Sequence, residues 1–295
     1  MPTKSPWNLL KATCVAWWQD DAVRLGASLA YYTVFSAAPL LVFAVMLVSL
    51  IYGQDAAQGR VAEQLSDMMG PEVAEAVEAM IASTDRRGGG VLATILSLEM
   101  LLFGASAVFT ELNFALNKIW KVGPAAAAPW WNTIFKRLQS FLLVLVIGVL
   151  FLALVILHST IAAASDWLAT DLPFSSAVIQ TLNYLVTIGI ETLLFALIFK
   201  FLPVGVIAWR DVWLGAFVTA ILFGIGNTLI GFYVSYSAVG SAYGAAGSLA
   251  VFMLWAYYSA QIVYLGAEFT QTYARMYGSQ IVPESAAAKR PSTGR

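Results

Sequence analysis

The apolar positions of the chain fall into six long stretches separated by more polar segments. Each stretch has at least the roughly 20 residues that a helix needs to cross the hydrocarbon layer of a bilayer. None alternates apolar and polar residues with a period of two, so the pattern predicts membrane helices rather than the strands of a barrel. The predicted spans cover residues 27–52, 90–113, 138–163, 178–202, 211–236 and 245–272.

Two amphipathic segments lie outside these spans. Apolar side chains recur at helical spacing in residues 6–20 and predict a helix that lies in the membrane interface. Residues 55–83 are acidic and interrupted at Pro71, which predicts two short amphipathic helices that form an external cap. We interpret residues 1–278 as one all-α integral-membrane domain and residues 279–295 as a disordered cytoplasmic tail.

The composition supports a membrane protein. Apolar residues make up 60% of the chain and charged residues only 11%, whereas charged residues make up about 25% of an ordinary soluble protein. So few charges cannot cover a water-facing surface, which excludes a soluble globular enzyme. The single cysteine, Cys14, excludes a disulfide framework and a multi-cysteine metal site. We expect neither a metal site nor a cofactor.

The basic residues indicate an orientation. Thirteen of the 16 Lys and Arg residues fall on one side of a six-span arrangement, and only Arg60, Arg86 and Arg87 fall on the other. Cytoplasmic loops of membrane proteins carry an excess of Lys and Arg. The chain is therefore expected to have both termini in the cytoplasm.

Three carboxyl side chains fall inside the predicted spans, at Glu99, Glu191 and Glu268. An ionised acid at the centre of a membrane helix costs about 2.5–3.5 kcal/mol on insertion scales, so each must be protonated, paired or in contact with water. One hypothesis is a polar pathway in which a glutamate binds a proton or a cation. The alternative is a neutral glutamic acid that joins helices through hydrogen bonds.

Other polar and helix-breaking residues in the spans add to this candidate pathway. No Lys or Arg is expected at a matching depth, so hydroxyl and amide groups are the candidate partners of the glutamates, foremost Asn183, Asn227 and Tyr257. Pro39 and Pro203 remove backbone donors and are candidate hinges. Proline is also tolerated in membrane helices without any such role.

The sequence gives little support for catalysis. His158 is the only histidine, and no nucleophile motif accompanies it. Nuclease chemistry needs carboxylate or histidine ligands clustered around a metal ion. The acids expected on the cytoplasmic side are mostly far apart in the sequence, so we expect no catalytic residues and no nucleic-acid partner.

Several short motifs are spread from the first predicted span to the last. They are Ala27–Ser36 followed by Pro39, Asn113–Trp120 (NFALNKIW), Leu202-Pro203, Trp209-Arg210, Gly215-Ala216, Tyr243-Gly244 and Gly266-Ala267-Glu268. In their order and spacing the chain resembles the YihY/BrkB family of bacterial inner-membrane proteins. It departs from many members at Val204, where they have Asn, and at Gly224 and Asn227, where they have an acid and a lysine.

The resemblance implies a six-helix protein of the cytoplasmic membrane with a part in envelope integrity, and it implies that the ribonuclease BN label of the family is a misassignment. Three hypotheses stay open. The first is a transporter or exporter of a lipid or other amphipathic envelope component. The second is a non-transporting scaffold for envelope assembly, and the third is a membrane-embedded enzyme that acts on lipid. The expected partners are membrane lipids, and small-residue helix faces allow a homo-oligomer.

Overall fold

The described part of the chain is helical apart from one pair of two-residue strands. The computed structural model describes residues 5–53, 59, 107–122, 146, 149–150, 153, 156, 160, 175–236, 247–278 and 282–283. Its helices are α1 (Pro6–Gln19), α2 (Ala22–Tyr52), α3 (107–119), α4 (Ser175–Phe201), α5 (Trp209–Tyr236) and α6 (Gly247–Met276). The strands are β1 (Gly205–Val206) and β2 (Val282–Pro283).

Three of these helices are long and apolar enough to cross a membrane. Their apolar stretches are Tyr184–Phe201 in α4, Trp209–Val234 in α5 and Leu249–Met276 in α6, which overlap the last three predicted spans. The predicted all-α class is confirmed for the part of the chain that the structure describes, apart from the short strand pair, and α2 covers the predicted first span. The predicted spans 90–113 and 138–163 lie mostly outside the described residues, as does the cap apart from residue 59. The six-span arrangement therefore stays a prediction.

Helix α3 extends beyond the end predicted for the second span. The apolar stretch ends at residue 113, but the helix continues to residue 119. Ala115, Leu116 and Ile119 share one face of this last part and are completely buried. Apolar length predicts how much of a helix crosses the membrane, whereas packing of one face against the rest of the protein decides where the helix ends.

Helix α6 packs against α5, α2 and α1, and α4 also packs against α5. The contact between α5 and α6 is built from two Gly-x-x-x-Thr pairs, Gly215 with Thr219 and Gly266 with Thr270. Each threonine hydroxyl donates to the carbonyl of the glycine in its own helix, at 2.7 Å in both cases. The hydroxyls are thereby satisfied, and the small residues let the two backbones approach closely.

The connection from α4 to α5 is held by two asparagines of α3. Asn113 Nδ2 donates to the carbonyl of Leu202, and Asn117 Oδ1 accepts from the backbone N–H of Val204 at 2.8 Å. Asn117 Nδ2 also donates to Asn113 Oδ1 at 2.7 Å, which orients both amides. Pro203 lies between the two bonded residues, so the break after α4 is fixed in place by α3. Strand β1 follows it and pairs antiparallel with β2, which lies within the predicted tail.

Helix α1 covers most of residues 6–20, for which a helix is predicted. Its buried side chains are Leu9 and Thr13, while Trp7 and Trp18 are 73% and 72% exposed. The chain turns into α2 at Asp20 and Asp21, and Asp21 adopts the left-handed conformation with φ of 57°. This turn places the first helix against α6.

Candidate functional site

Glu191 lies within the apolar part of α4 and is only 7% exposed. Among the described residues its carboxyl group has no hydrogen-bond or ion-pair partner, and desolvation is the effect that acts on it. Its neighbour Thr192 is also buried, but the Thr192 hydroxyl donates to the carbonyl of Ile188 at 2.7 Å. Glu191 therefore differs from the other buried polar group beside it, because no described residue forms a hydrogen bond with its carboxyl group.

Asn227 joins α5 to α6. Its Oδ1 accepts a hydrogen bond from Trp255 Nε1 at 3.3 Å. One turn before Asn227, Phe223 packs edge-on against Phe195 of α4 with ring centroids 5.6 Å apart. The two buried phenylalanines thus make contact one turn from Glu191 on α4 and one turn from Asn227 on α5.

Tyr257 and Gln261 of α6 lie against the first turns of α2. Gln261 Nε2 donates to the carbonyl of Ala22 at 3.3 Å. A Cβ on Gly26 would lie 1.9 Å from Gln261 Nε2 and 3.6 Å from a ring carbon of Tyr257, so a side chain at residue 26 would displace the Gln261 amide but not the Tyr257 ring. These contacts hold α2 to α6 rather than connecting Tyr257 to Glu191.

Glu268 is completely buried two turns before the end of α6. Neither of its carboxyl oxygens accepts a hydrogen bond within the described part of the chain. The carboxyl group of Asp20, in the turn between α1 and α2, lies beside it, and the ammonium group of Lys121 is close to both. We refer to Asp20 and Glu268 as the acidic pair.

Asp20 is the member of the acidic pair that lies near a cation and is partly exposed to water. Its Oδ2 lies 3.9 Å from Lys121 Nζ, and its side chain is 14% exposed compared with 53% for that of Lys121. The same Oδ2 is buried and has no hydrogen-bond donor in the described residues. The second aspartate of the turn points elsewhere, because Asp21 Oδ2 accepts from Lys118 Nζ at 3.1 Å.

Tyr264 lies one turn before Glu268 on α6 and is completely buried. Its hydroxyl has no hydrogen-bond partner among the described residues, and the nearby charged group is Glu111 of α3. Trp17 Nε1 of α1 is likewise buried without a partner. The contact of α6 with α1 and α3 is thus unusually rich in buried polar atoms without partners.

The predicted pathway residues therefore occupy separate contacts. Glu191 is on α4, Asn227 joins α5 to α6, and Tyr257 and Glu268 face α1, α2 and α3. Glu99 and the side chains of Asn183 and Pro39 lie outside the described residues, although α2 continues as a helix through residue 39. Within the described part, no three His, Cys, Asp or Glu side chains form a group that could hold a metal ion.

Sequence reasoning missed the acidic pair. Asp20 is not among the candidate site residues predicted from the sequence, and the structure places its carboxyl group, in the turn between α1 and α2, beside Glu268. The two residues are far apart in the sequence, and no sequence motif links them. The one available signal was that Asp20 lies in the turn after α1, a helix that packs on α6.

Comparison with known proteins identifies the chain's relatives. The family model described as virulence factor BrkB matches residues 13–291. A UPF0761 membrane protein of Ralstonia nicotianae is 27% identical over 259 residues, which cover 86% of this chain and 56% of the relative. A relative from Nitrosospira multiformis is 26% identical over 90% of this chain and 61% of the relative. A relative from Tolumonas auensis is 30% identical over 61% of this chain and 57% of the relative.

This chain accordingly spans between half and two thirds of the length of these curated relatives. No solved structure matches it. The family match extends over nearly the whole chain and confirms the resemblance carried by the sequence motifs. With apolar spans in α4, α5 and α6 and relatives named as membrane proteins, the chain belongs to the BrkB family of membrane proteins.

Proposed function

We propose that the protein is a transporter or exporter of a lipid or another amphipathic envelope component in the bacterial inner membrane. The observation that carries the proposal is the burial of Glu191 in a membrane-spanning helix without a partner among the described residues. Such a group is costly in a membrane, and no interaction with a described residue offsets the cost of its burial. Ionisable groups of this kind are typical of substrate and ion pathways.

The surroundings of Glu191 suit an amphipathic substrate better than a small ion alone. Phe195 lies one turn from it and packs edge-on against Phe223, and both rings are buried. Binding sites for partly apolar molecules are lined mainly by apolar and aromatic side chains with a few polar groups that fix orientation. Glu191 would provide such a polar group at the contact of α4 with α5.

The proposed orientation has both termini in the cytoplasm. It is supported by the 13 basic residues expected on one side of the membrane. Helix α1 then lies at the cytoplasmic interface, with the exposed rings of Trp7 and Trp18 in contact with lipid headgroups.

The test is lipid flux in proteoliposomes that contain the purified full chain. A panel of fluorescently labelled phospholipids and other amphipathic envelope lipids is offered on one side, and their appearance on the other side is followed. We expect flux above that of empty vesicles for at least one lipid. Glu191→Gln should reduce it to the level of empty vesicles, because the amide cannot exchange a proton.

Thr192→Val is the matched control. It removes a buried polar group next to Glu191, but one whose hydrogen bond is already satisfied within α4. We expect its flux to equal that of the wild type. Flux of Glu191→Gln at the wild-type rate would contradict the proposal. A wild-type protein that moves none of the lipids would also contradict it and would favour the scaffold hypothesis.

A further inference from the structure

The acidic pair has acceptors without donors. Glu268 Oε1, Glu268 Oε2 and Asp20 Oδ2 are all buried, and none receives a hydrogen bond within the described part of the chain. Two carboxylates side by side repel each other, and each buried acceptor without a donor costs about 1–3 kcal/mol. One proton shared between the carboxyl groups turns one acceptor into a donor for a second. This removes the repulsion and reduces the acceptors without donors from three to one.

The charge around the pair favours a proton over a metal cation. Lys121 already brings a positive charge to 3.9 Å from Asp20 Oδ2. An ionised Asp20, a protonated Glu268 and Lys121 together carry no net charge. A metal ion at the same place would lie beside the ammonium group with only two carboxyl groups to hold it.

The other charged groups on the surrounding helices are engaged elsewhere or face solvent. Asp21 forms ion pairs with Lys118 at 3.1 Å and Arg24 at 3.6 Å. Glu111 of α3 lies near the hydroxyl of Tyr264, and Asp211 of α5 lies against Gly278. Two further cations on α1 and α6 are exposed, Lys11 and Arg275.

We propose that Asp20 and Glu268 form a proton-binding site that holds the turn between α1 and α2 against α6 while the proton is bound. Binding adds one proton to a Glu268 carboxylate oxygen, and the new O–H donates to an oxygen of Asp20. Release returns the proton to water through Asp20, the more exposed of the two. Two buried negative charges then face each other, which weakens the contact between the turn and α6.

This inference rests on the proposed function in one respect only. Transport would require that the proton gradient across the membrane be coupled to movement of α1. The site itself can be tested without any substrate. Infrared difference spectra of the full chain in lipid nanodiscs report the carbonyl band of a protonated carboxylic acid as the pH is raised. We expect the wild type to lose such a band, and Glu268→Gln to lack that band at every pH.

Two variants control for the other carboxyl groups. Glu191→Gln should keep the band that Glu268→Gln lacks, since it leaves the acidic pair intact. Asp20→Asn keeps Glu268 but removes its carboxyl neighbour, so the band should persist and titrate at a different pH. Identical spectra for Glu268→Gln and the wild type would overturn the proposal, and so would superimposable titrations of Asp20→Asn and the wild type.

Movement of α1 has its own readout. Cys14, the only cysteine, is exposed on α1 and can carry a nitroxide spin label. We expect the label's mobility to rise as the wild type loses the proton and to stay low in Glu268→Gln, whose amide donates to Asp20 at every pH. Equal pH responses in both, or none in the wild type, would overturn the proposed hold on α1. Failure of lipid flux with these results intact would reject the transport proposal alone.

Discussion

The hydroxyl of Thr219 lies where a side chain on Gly266 would be, because a Cβ built on Gly266 falls 2.0 Å from Thr219 Oγ1. The relationship is reciprocal, since a Cβ on Gly215 falls 1.8 Å from Thr270 Oγ1. Helices α5 and α6 therefore each insert a threonine over a glycine of the other. Packing of this kind replaces the hydrophobic effect, which contributes little between helices in lipid.

Alanine at either of these glycines should destabilise the protein. Gly266→Ala and Gly215→Ala should each lower the free energy of unfolding by about 1–3 kcal/mol, because the added methyl group overpacks the contact. The measurement is unfolding in mixed micelles titrated with a denaturing detergent. Gly224→Ala, on α5, is the control, since its new Cβ would come no closer than 3.8 Å to the hydroxyl of Tyr184. A loss as large for Gly224→Ala would contradict the threonine-over-glycine account.

Asn117 should be needed to hold the break after α4. Asn117→Ala removes the acceptor of the Val204 N–H and the donor to Asn113 Oδ1, so we expect a loss of about 1–3 kcal/mol in the free energy of unfolding. Asn117→Asp keeps the acceptor for Val204 and should lose less at acidic pH, where its protonated carboxyl can still donate. An alanine variant as stable as the wild type would show that α3 does not fix this connection.

The ion pair between Asp21 and Lys118 should make stability depend on pH in the acid range. The Lys118 ammonium that donates to Asp21, helped by Arg24, holds the pKa of that exposed carboxyl below its ordinary value of 3.8. A lowered pKa means that the stabilisation is present above 3.8 and is lost as the pH falls through the folded-state value. The measurement is the difference in melting temperature between the wild type and Asp21→Asn.

That difference should be small near neutral pH, because both groups are largely accessible to water, and should vanish in strong acid. Lys118→Gln gives the matching control, since it removes the main partner, leaves Arg24 and should reduce the same pH-dependent difference. A difference in melting temperature between the wild type and Asp21→Asn that persists unchanged in strong acid would contradict the ion-pair explanation.

Cys14 should report the orientation of the protein. With both termini in the cytoplasm, a membrane-impermeant maleimide should leave Cys14 unlabelled in intact spheroplasts and label it in inverted vesicles. The reverse pattern is expected for Gly59→Cys in a Cys14→Ser background, because residue 59 is exposed and belongs to the predicted external cap. Labelling of Cys14 in intact spheroplasts would overturn the predicted orientation.

The sequence predicted the helices more completely than their contacts. Apolar length alone identified α4, α5 and α6 as membrane helices, and the spacing of Leu10, Trp17 and Trp18 predicted α1. The end of α3 was missed because its last turns are held by packing and by Asn113 and Asn117, not by apolar length. The motif that contains both asparagines was visible, but its hydrogen bonds to the α4–α5 connection depend on the tertiary fold.

For the candidate site, too, the sequence predicted the residues but not their contacts. The cost of a carboxyl group in lipid singled out Glu191 and Glu268 from the sequence, and both are buried. The neighbour of Glu268 could not be inferred, because Asp20 reaches it only after α1 folds back on α6. Periodicity places residues on a helix face, whereas the partner of that face is a property of the whole bundle.

The central claim is that Glu191 is retained for function and not for stability. Its most direct test is the melting temperature of Glu191→Leu in lipid nanodiscs, with Thr192→Val as the reference for a neighbouring substitution. A buried carboxyl without a partner has no interaction to lose, so the account predicts a melting temperature equal to or above that of the wild type. A clear drop for Glu191→Leu would contradict the account, because it would show that the carboxyl group stabilises the bundle.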